Sequence, residues 1–362
     1  MNKRFIREKA DELKSRIIDL NLQELDVKDY FRAYLKSYQD DFEAIIHRYV
    51  DILTQSTRLF RNPKFAFLDY GGGTGILCLL AKLCGIEKVC YLDISEEATQ
   101  GAQALATALN IPIDEFYIST YEKISDRIAA RFDVIANYDV LEHLSSPQEA
   151  FSEIGKLLKN NGSIYMASGA NTYHPVINIL MRREHKMLET RGMGHSQGVQ
   201  AKKSWVSVRE KIIKEKFPYL ESREIEKLAI LTRGLIRADI IKAVQVYQDN
   251  GIFPKPKDST NTCDPKSGLW NENLIPYFAF AKHLRKRFPE VNVSAGYYPE
   301  VTPRFIPAPG VMADSIIKKV YPYLRYVSKV IAPFLNKLIR NLPGPLPFTI
   351  APYYVVEVRR GE

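Results

Sequence analysis

The chain has 362 residues, 46% of them hydrophobic, with 51 basic against 42 acidic side chains and a formal charge of +9. Such a chain can bury a large core and exceeds the usual length of one domain, so a core fold with additions is expected. Cys78, Cys84, Cys90 and Cys263 form no C-x-x-C pair, which argues against a disulfide framework and for buried thiols in a reducing compartment. Met1-Asn2-Lys3-Arg4-Phe5 leads into charged residues rather than an apolar run. No signal peptide or membrane span is therefore expected, and the expected location is cytoplasmic. Residues 61–170 carry 9 basic and 14 acidic side chains, whereas 182–216 carry 10 and 4. The basic surplus thus lies in what is added to an acidic core, as a solvated face or as an attraction for an anionic substrate, a nucleic acid or a membrane surface.

Residues 1–60 read as an N-terminal helical layer, with Tyr30, Tyr34, Tyr38, Phe42, Ile45, Ile46 and Tyr49 at near-helical spacing. Residues 64–70 then read as a buried strand, Gly71, Gly73 and Gly75 as a tight turn, and 76–83 as an apolar helix. Glycine suits such a turn because a Cβ would oppose positive φ and hold a ligand away from the amides at the helix start. Gly85 stops the helix, 88–92 reads as a second buried strand, and Asp93 follows where a carboxylate can accept from both hydroxyls of a ribose. A nucleoside pocket is the expectation. The spacing G-x-G-x-G differs from the dinucleotide pattern G-x-G-x-x-G, whose third glycine position is Ile76 here.

Asp69, Gly71, Gly73 and Gly75 match the acid-x-G-x-G-x-G motif residue by residue, and here the chain resembles the class I methyltransferases that use S-adenosyl-L-methionine. The resemblance implies that cofactor, with the glycine turn facing its methionine part and Asp93, beside Ile94, holding its ribose. It also implies a doubly wound, mostly parallel seven-stranded α/β sheet of Rossmann-like type. Ser95 can cap a helix that runs to residue 108, and 115–118 reads as a third strand. Related families often place an Asp after that strand to meet adenine, whereas this chain offers Ser119 and Thr120. Residues 131–144 resemble a fourth strand followed by a D-x-L-E-H element, Asp139 to His143, which implies Asn137 beside the sulfonium and Glu142 and His143 above the pocket. Ser145-Ser146-Pro147 reads as a helix start, Asn161-Gly162 as its stop and 163–167 as a fifth strand. Residues 61–170 thus form the expected cofactor-binding core.

Residues 171–271 interrupt the sheet after the fifth strand as a large helical insertion, the expected substrate cap. Asn171, Tyr173 and His174 follow that strand closely enough to reach the pocket, and Trp270 lies in the turn-rich run 261–272, either over a sugar or as a loop anchor. Residues 272–362 supply a helix over 272–288 and strands over 291–298 and 353–358, and the resemblance implies that the last runs antiparallel beside the fifth. Within them 315–342 is amphipathic and basic, interrupted by Pro322 and Pro333. It reads as a helix pair covering the sheet or as a peripheral contact with the inner face of an anionic membrane.

The implied chemistry is in-line methyl transfer, which needs alignment and exclusion of water and at most one base. His143 is the first candidate base and His174 the second; the other reading has Glu142 and His143 only orienting the next helix. Asp139, Glu142 and His143 can also be read as metal ligands completed by His174, His185 or His195, but no downstream spacing supports this and no metal is expected. The long insertion, Asn261-Thr262-Cys263-Asp264-Pro265 and Pro352-Tyr353-Tyr354-Val355-Val356 resemble bacterial methyltransferases of surface-polysaccharide synthesis. An oxygen of a small molecule or glycan, on a sugar or glycan phosphate, is the expected acceptor. An RNA methyltransferase, a noncatalytic nucleotide-sensing or scaffold protein and an NAD-dependent oxidoreductase are the alternatives.

Overall fold

The computed structural model describes residues 1–192, 195–196, 199–200, 203–256, 258, 260–266, 268, 270–296, 334, 337–339, 342 and 344–361, without the side chains of 30, 37, 41, 43–45, 195–196 and 199–200. Two compact units emerge, one of Met1–Leu141, Ser146–Gly169 and Pro276–Glu362, the other of Glu142–Ser145 and Ala170–Ile275.

The first unit begins with helices α1 (Lys3–Ile18) and α2 (Asp29–Ser56). Ile6, Ala10, Leu13 and Ile17 recur every three to four residues and are all buried, so α1 presents one apolar stripe to the core. On α2 the buried stripe is Phe31, Leu35, Tyr38, Phe42, Ile46, Val50 and Leu53. Tyr34, expected in that stripe, is 41% exposed, because the helix is turned by about one residue from the aromatic spacing. The sheet follows with β1 (Ala66–Tyr70), α3 (Ile76–Leu83), β2 (Lys88–Asp93), α4 (Glu96–Ala108), β3 (Glu115–Ile118), α5 (Tyr121–Ile128), β4 (Phe132–Tyr138), α6 (Pro147–Leu157) and β5 (Leu158–Ser168).

Every residue of β1 is buried, as an apolar run covered on both faces should be, and β1 to β5 pair in parallel. The strand order is β3-β2-β1-β4-β5-β9-β8, with β8 (Glu290–Gly296) and β9 (Tyr353–Arg359) closing the sheet. β9 runs antiparallel between β5 and β8; the β-branched and aromatic run Tyr-Tyr-Val-Val-Glu-Val marks it as a strand, and its place beside β5 is the one the family resemblance implies. This is a seven-stranded, mostly parallel doubly wound sheet whose order reverses between β1 and β4, and ligand crevices form outside the strand ends at that reversal.

Two expected helices have other bounds. Helix α6 stops at Leu157 rather than near Asn161, because Leu158 already pairs with Phe132 in the sheet and Asn161, with φ 63°, lies within β5 where its register with β4 shifts. The helix expected over 272–288 is α11 (Tyr277–Leu284) alone, since Glu272 takes φ 46° and Ile275 bridges to Asn171, leaving Pro276 as the cap. Helix α5 was not read from the sequence at all. Residues 297–298 and nearly all of 315–342 lie outside the described residues. A short α12 (Leu346–Ile350) precedes β9.

The second unit holds α7 (Pro175–Arg191), a two-stranded ribbon of β6 (His195–Ser196) and β7 (Val199–Gln200), α8 (Trp205–Lys216), α9 (Ser222–Leu231) and α10 (Arg237–Asn250). Ile212, Ile213, Phe217, Leu228, Ile240 and Val244 form its apolar core. Arg209 is fully buried, gives Nε to the Ala229 carbonyl at 2.6 Å and both terminal nitrogens to the Glu189 carboxylate, which also accepts from the Thr262 hydroxyl. One ion pair thereby ties α7, α8, the end of α9 and the 261–262 loop together. Breaking such a pair from one side costs about 3–5 kcal/mol.

All four cysteines are free and buried, and burial pushes the thiols of Cys84 and Cys90 up to about 12. Among the described residues no helix is long and apolar enough to cross a membrane. Because β9 is held on both edges, deleting residues 351–362 should expose β5 and β8 and yield insoluble protein; a soluble truncation that still binds cofactor would contradict this topology.

Candidate cofactor and acceptor residues

The turn after β1 is built against the end of β2. The amides of Gly71 and Gly72 both donate to the Leu92 carbonyl, at 2.7 and 3.0 Å, and Gly73 donates to Asp93 Oδ2 at 3.0 Å. Gly71, Gly73 and Gly75 have φ of 72°, 51° and 78°, in the left-handed region that favours glycine. Their surroundings differ. A Cβ on Gly71 would lie 2.5 Å from the Val140 side chain, and one on Gly75 would lie 3.1 Å from Ala102. A Cβ on Gly73 would meet nothing within 4 Å. Gly71 and Gly75 are thus fixed by packing, while Gly73 borders the space a ligand would take.

Asp93 secures both sides of this space. Its Oδ1 accepts from the Ser95 amide at 2.8 Å, and Ser95 Oγ in turn accepts from Ala98 at 3.1 Å to cap α4. A carboxylate has about four acceptor positions, so the amides of Gly73, Ser95 and Ile94 still leave room for a ribose hydroxyl. Tyr91, on the same face of β2, donates its hydroxyl to the Gly73 carbonyl at 2.8 Å. Sequence reasoning missed this residue, although its alternation with Asp93 was the available signal. It also missed Ile118, which pairs in register with Asp93 and is 44% exposed, as Ile94 is 55% exposed. Two exposed aliphatic side chains at adjacent strand ends suit a flat base. Beside them Ser119 donates its amide to the Asp93 carbonyl at 3.1 Å and its hydroxyl to the Thr120 carbonyl at 3.1 Å, and Thr120 begins α5 without a side-chain capping bond.

Asn137, near the end of β4, is fully buried, and neither its amide nitrogen nor its oxygen has a hydrogen-bond partner among the described residues. Each unsatisfied group costs about 1–3 kcal/mol, so a polar ligand fits here better than an empty cleft. Asp69 is buried beneath the turn and accepts from the Cys78 thiol at 3.6 Å. Burial pushes its carboxyl up to about 7, aided by the charge of Asp93 and opposed by the Cys78 contact. Asp93 is also raised, mainly by burial, against the amides of Ser95, Gly73 and Ile94.

A carboxyl raised in the folded state contributes stability that is full below its unfolded value of about 4 and is lost as pH rises to about 7. The ligand-free protein should therefore lose on the order of 2 kcal/mol between pH 5 and 8 relative to Asp69→Asn in paired thermal melts. Parallel pH profiles would contradict this placement of Asp69.

In the second unit His143 closes a 3-10 turn, Leu141–His143, and its Nδ1 lies 2.8 Å from the Trp270 carbonyl. A carbonyl only accepts, so Nδ1 carries the proton and the neutral ring keeps its lone pair on Nε2. The Glu142 carbonyl accepts from Asn273 at 2.9 Å, so the same 270–273 run braces both residues. The Trp270 side chain is buried. His174 caps α7, its Nδ1 accepting from the Ile177 amide at 3.4 Å. Asn171 is buried and bridges to Ile275, its Oδ1 accepting from the amide of Tyr173, whose side chain is 36% exposed. His185 donates from Nε2 to the Asn271 carbonyl, and burial lowers its pKa. Among the described residues no three His, Cys, Asp or Glu side chains are grouped to hold a metal ion.

A family model described as a methyltransferase domain matches residues 34–227, more than half of the chain. A ubiquinone biosynthesis O-methyltransferase of Nitrosococcus oceani is 33% identical over 101 residues, covering 28% of this chain and 42% of the relative. A ribosomal protein L11 methyltransferase of Paraburkholderia phymatum is 31% identical over 128 residues, covering 33% and 39%. The chain thus spans less than half the length of these curated relatives. Among solved structures, phosphoethanolamine N-methyltransferase 2 of Haemonchus contortus, in complex with S-adenosyl-L-methionine, aligns over 87% of this chain and 53% of its own at 13% identity and a TM-score of 0.38. With the domain match added to the acid-x-G-x-G-x-G turn, the carboxylate at the end of β2 and the seven-stranded order, the chain belongs to the class I S-adenosyl-L-methionine-dependent methyltransferases.

Proposed function

We propose that the protein methylates an oxygen of a small molecule or glycan, with a sugar or glycan phosphate as the acceptor class. Gly73, Asp93 and Asn137 would hold S-adenosyl-L-methionine, with Ile94, Ile118, Ser119 and Thr120 around its base. When bound, the cofactor supplies an electrophilic methyl group on a sulfonium. The protein's own work is to align the acceptor, exclude water and remove one proton.

The observation that carries an oxygen acceptor is the tautomer of His143. A hydroxyl must lose its proton as the new bond forms, and an imidazole with Nδ1–H fixed on the Trp270 carbonyl offers Nε2 as the base near neutral pH. His174 is second choice because its Nδ1 already accepts at the start of α7, leaving Nε2 as the nitrogen for other work. The O-methyltransferase of ubiquinone biosynthesis supports the acceptor atom. The choice of a sugar or glycan phosphate rests on the 261–265 and 352–356 elements and on the basic surplus outside the core.

Incubation with labelled cofactor and fractionated cell-envelope and cytosolic extracts tests both points. Label should enter sugar or glycan phosphate fractions. His143→Ala should slow that transfer by about a hundredfold or more while leaving cofactor affinity nearly unchanged. Label in RNA or protein alone would overturn the acceptor class, and unchanged turnover would remove His143 from the mechanism.

A further inference from the structure

The N-terminal layer brings a cation to the ends of β4 and β9 in the first unit. Arg48, on α2, holds its guanidinium carbon 5.0 Å from the centre of the Tyr138 ring. Tyr138 ends β4, one residue beyond Asn137, and stacks on Tyr353 at the start of β9, with ring centres 5.6 Å apart and planes at 16°. Tyr49 meets the Tyr138 ring edge-on, with centres 6.4 Å apart. The Tyr49 hydroxyl lies 3.4 Å from that of Tyr38, which accepts from Thr74 Oγ1 at 3.1 Å. Phenol rings therefore connect the Arg48 environment to the glycine turn.

Nε of Arg48 is closed off from solvent and has no hydrogen-bond partner among the described residues. Burial opposes the charge, yet the surrounding groups, the phenols of Tyr138, Tyr353 and Tyr49 and the carboxylate of Asp139, favour it, and the guanidinium stays protonated. The Asp139 carboxylate also accepts from the Gly169 amide at 3.2 Å. A permanently charged, half-buried guanidinium with a shielded, unsatisfied Nε–H fits an incoming oxyanion, because the planar fork of arginine matches two oxygens of a carboxylate or phosphate.

Most of the cofactor residues lie on other strands. Gly73, Asp93 and Ser119 lie at the ends of β1, β2 and β3, on one side of the reversal in strand order, and of the residues assigned to the cofactor only Asn137 is on β4. Tyr138 and Tyr353 belong to β4 and β9 on the other side, and β9 is the third strand from β1, about 14 Å away at the usual spacing.

We propose that Arg48, walled by Tyr49, Tyr138 and Tyr353, is an oxyanion subsite that takes a carboxylate or phosphate group of the methyl acceptor. The assignment rests on the methyl-transfer reading and narrows its acceptor to small molecules carrying an anionic group.

Thermal-shift titrations of the full chain with inorganic phosphate, S-adenosylhomocysteine and methylthioadenosine, for wild type and Arg48→Gln, test it. Phosphate should bind the variant at least about tenfold more weakly, with S-adenosylhomocysteine within about twofold of wild type. Equal phosphate binding would overturn the proposal. Loss of S-adenosylhomocysteine affinity with methylthioadenosine affinity retained would overturn the acceptor assignment and give Arg48 to the cofactor's own carboxylate. If Arg48→Gln does not fold, Arg48→Lys should keep the charge and lose phosphate affinity severalfold through loss of the planar fork, and unchanged affinity would again overturn the site. Phosphate binding is read without cofactor, so failure of the wild type to bind S-adenosylhomocysteine would count against methyl transfer alone.

Discussion

One carboxylate organises the cofactor end of this molecule. Asp93 accepts from the amide of Gly73 with one oxygen and from that of Ser95 with the other, so the turn after β1 and the start of α4 are both referred to the last residue of β2. The turn is otherwise a sequence of left-handed glycines, which alone would populate many conformations. With Leu92 receiving two further amides and Tyr91 donating to the Gly73 carbonyl, the loop has few ways to move. The open side of Gly73 is then a defined surface. Preorganisation of this kind lowers the ordering cost of binding a flexible nucleoside.

The electrostatics follow from the same burial. Asp69 and Asp93 sit near each other at low solvent exposure, and both carboxyls are raised. A neutral ligand would leave that repulsion in place, whereas a ligand bearing positive charge relieves it. Across the sheet reversal the sign changes, because Arg48 stands among phenols at the ends of β4 and β9. The two sides of the reversal thus present opposite fields, a raised carboxyl pair on one and a guanidinium on the other.

Much of this was legible in the sequence for a local reason. Asp69 to Gly75 and Asp93 are close in the chain, and their roles depend on φ angles and a strand length that short-range chemistry fixes. Tyr353 to Val358 could be read as a strand because it is β-branched and aromatic, while its place beside β5 came from the family resemblance. Where folding is decided by distant partners, reading failed. The stop of α6 depends on Leu158 meeting Phe132, and the late start of α11 depends on Ile275 bridging to Asn171. The buried face of α2 is set by what packs against it, so an aromatic spacing that included Tyr34 was misleading. Arg48 gave no signal, since an arginine in a charged helix looks solvated until the rings of Tyr138 and Tyr353 are brought beside it. The motif singles out His143 as a candidate base, but its tautomer depends on the Trp270 carbonyl, 127 residues away.

The account depends on Gly73 bordering the space of a bound adenosyl sulfonium compound. Calorimetric titration of S-adenosylhomocysteine into wild type and Gly73→Ala tests this directly. The account predicts a single binding event in the wild type and an affinity at least about tenfold lower in the variant, whose melting point falls only by the modest cost of one left-handed alanine, about 1–2 kcal/mol. No heat of association with folded wild type, or equal affinity in the two proteins, would contradict it.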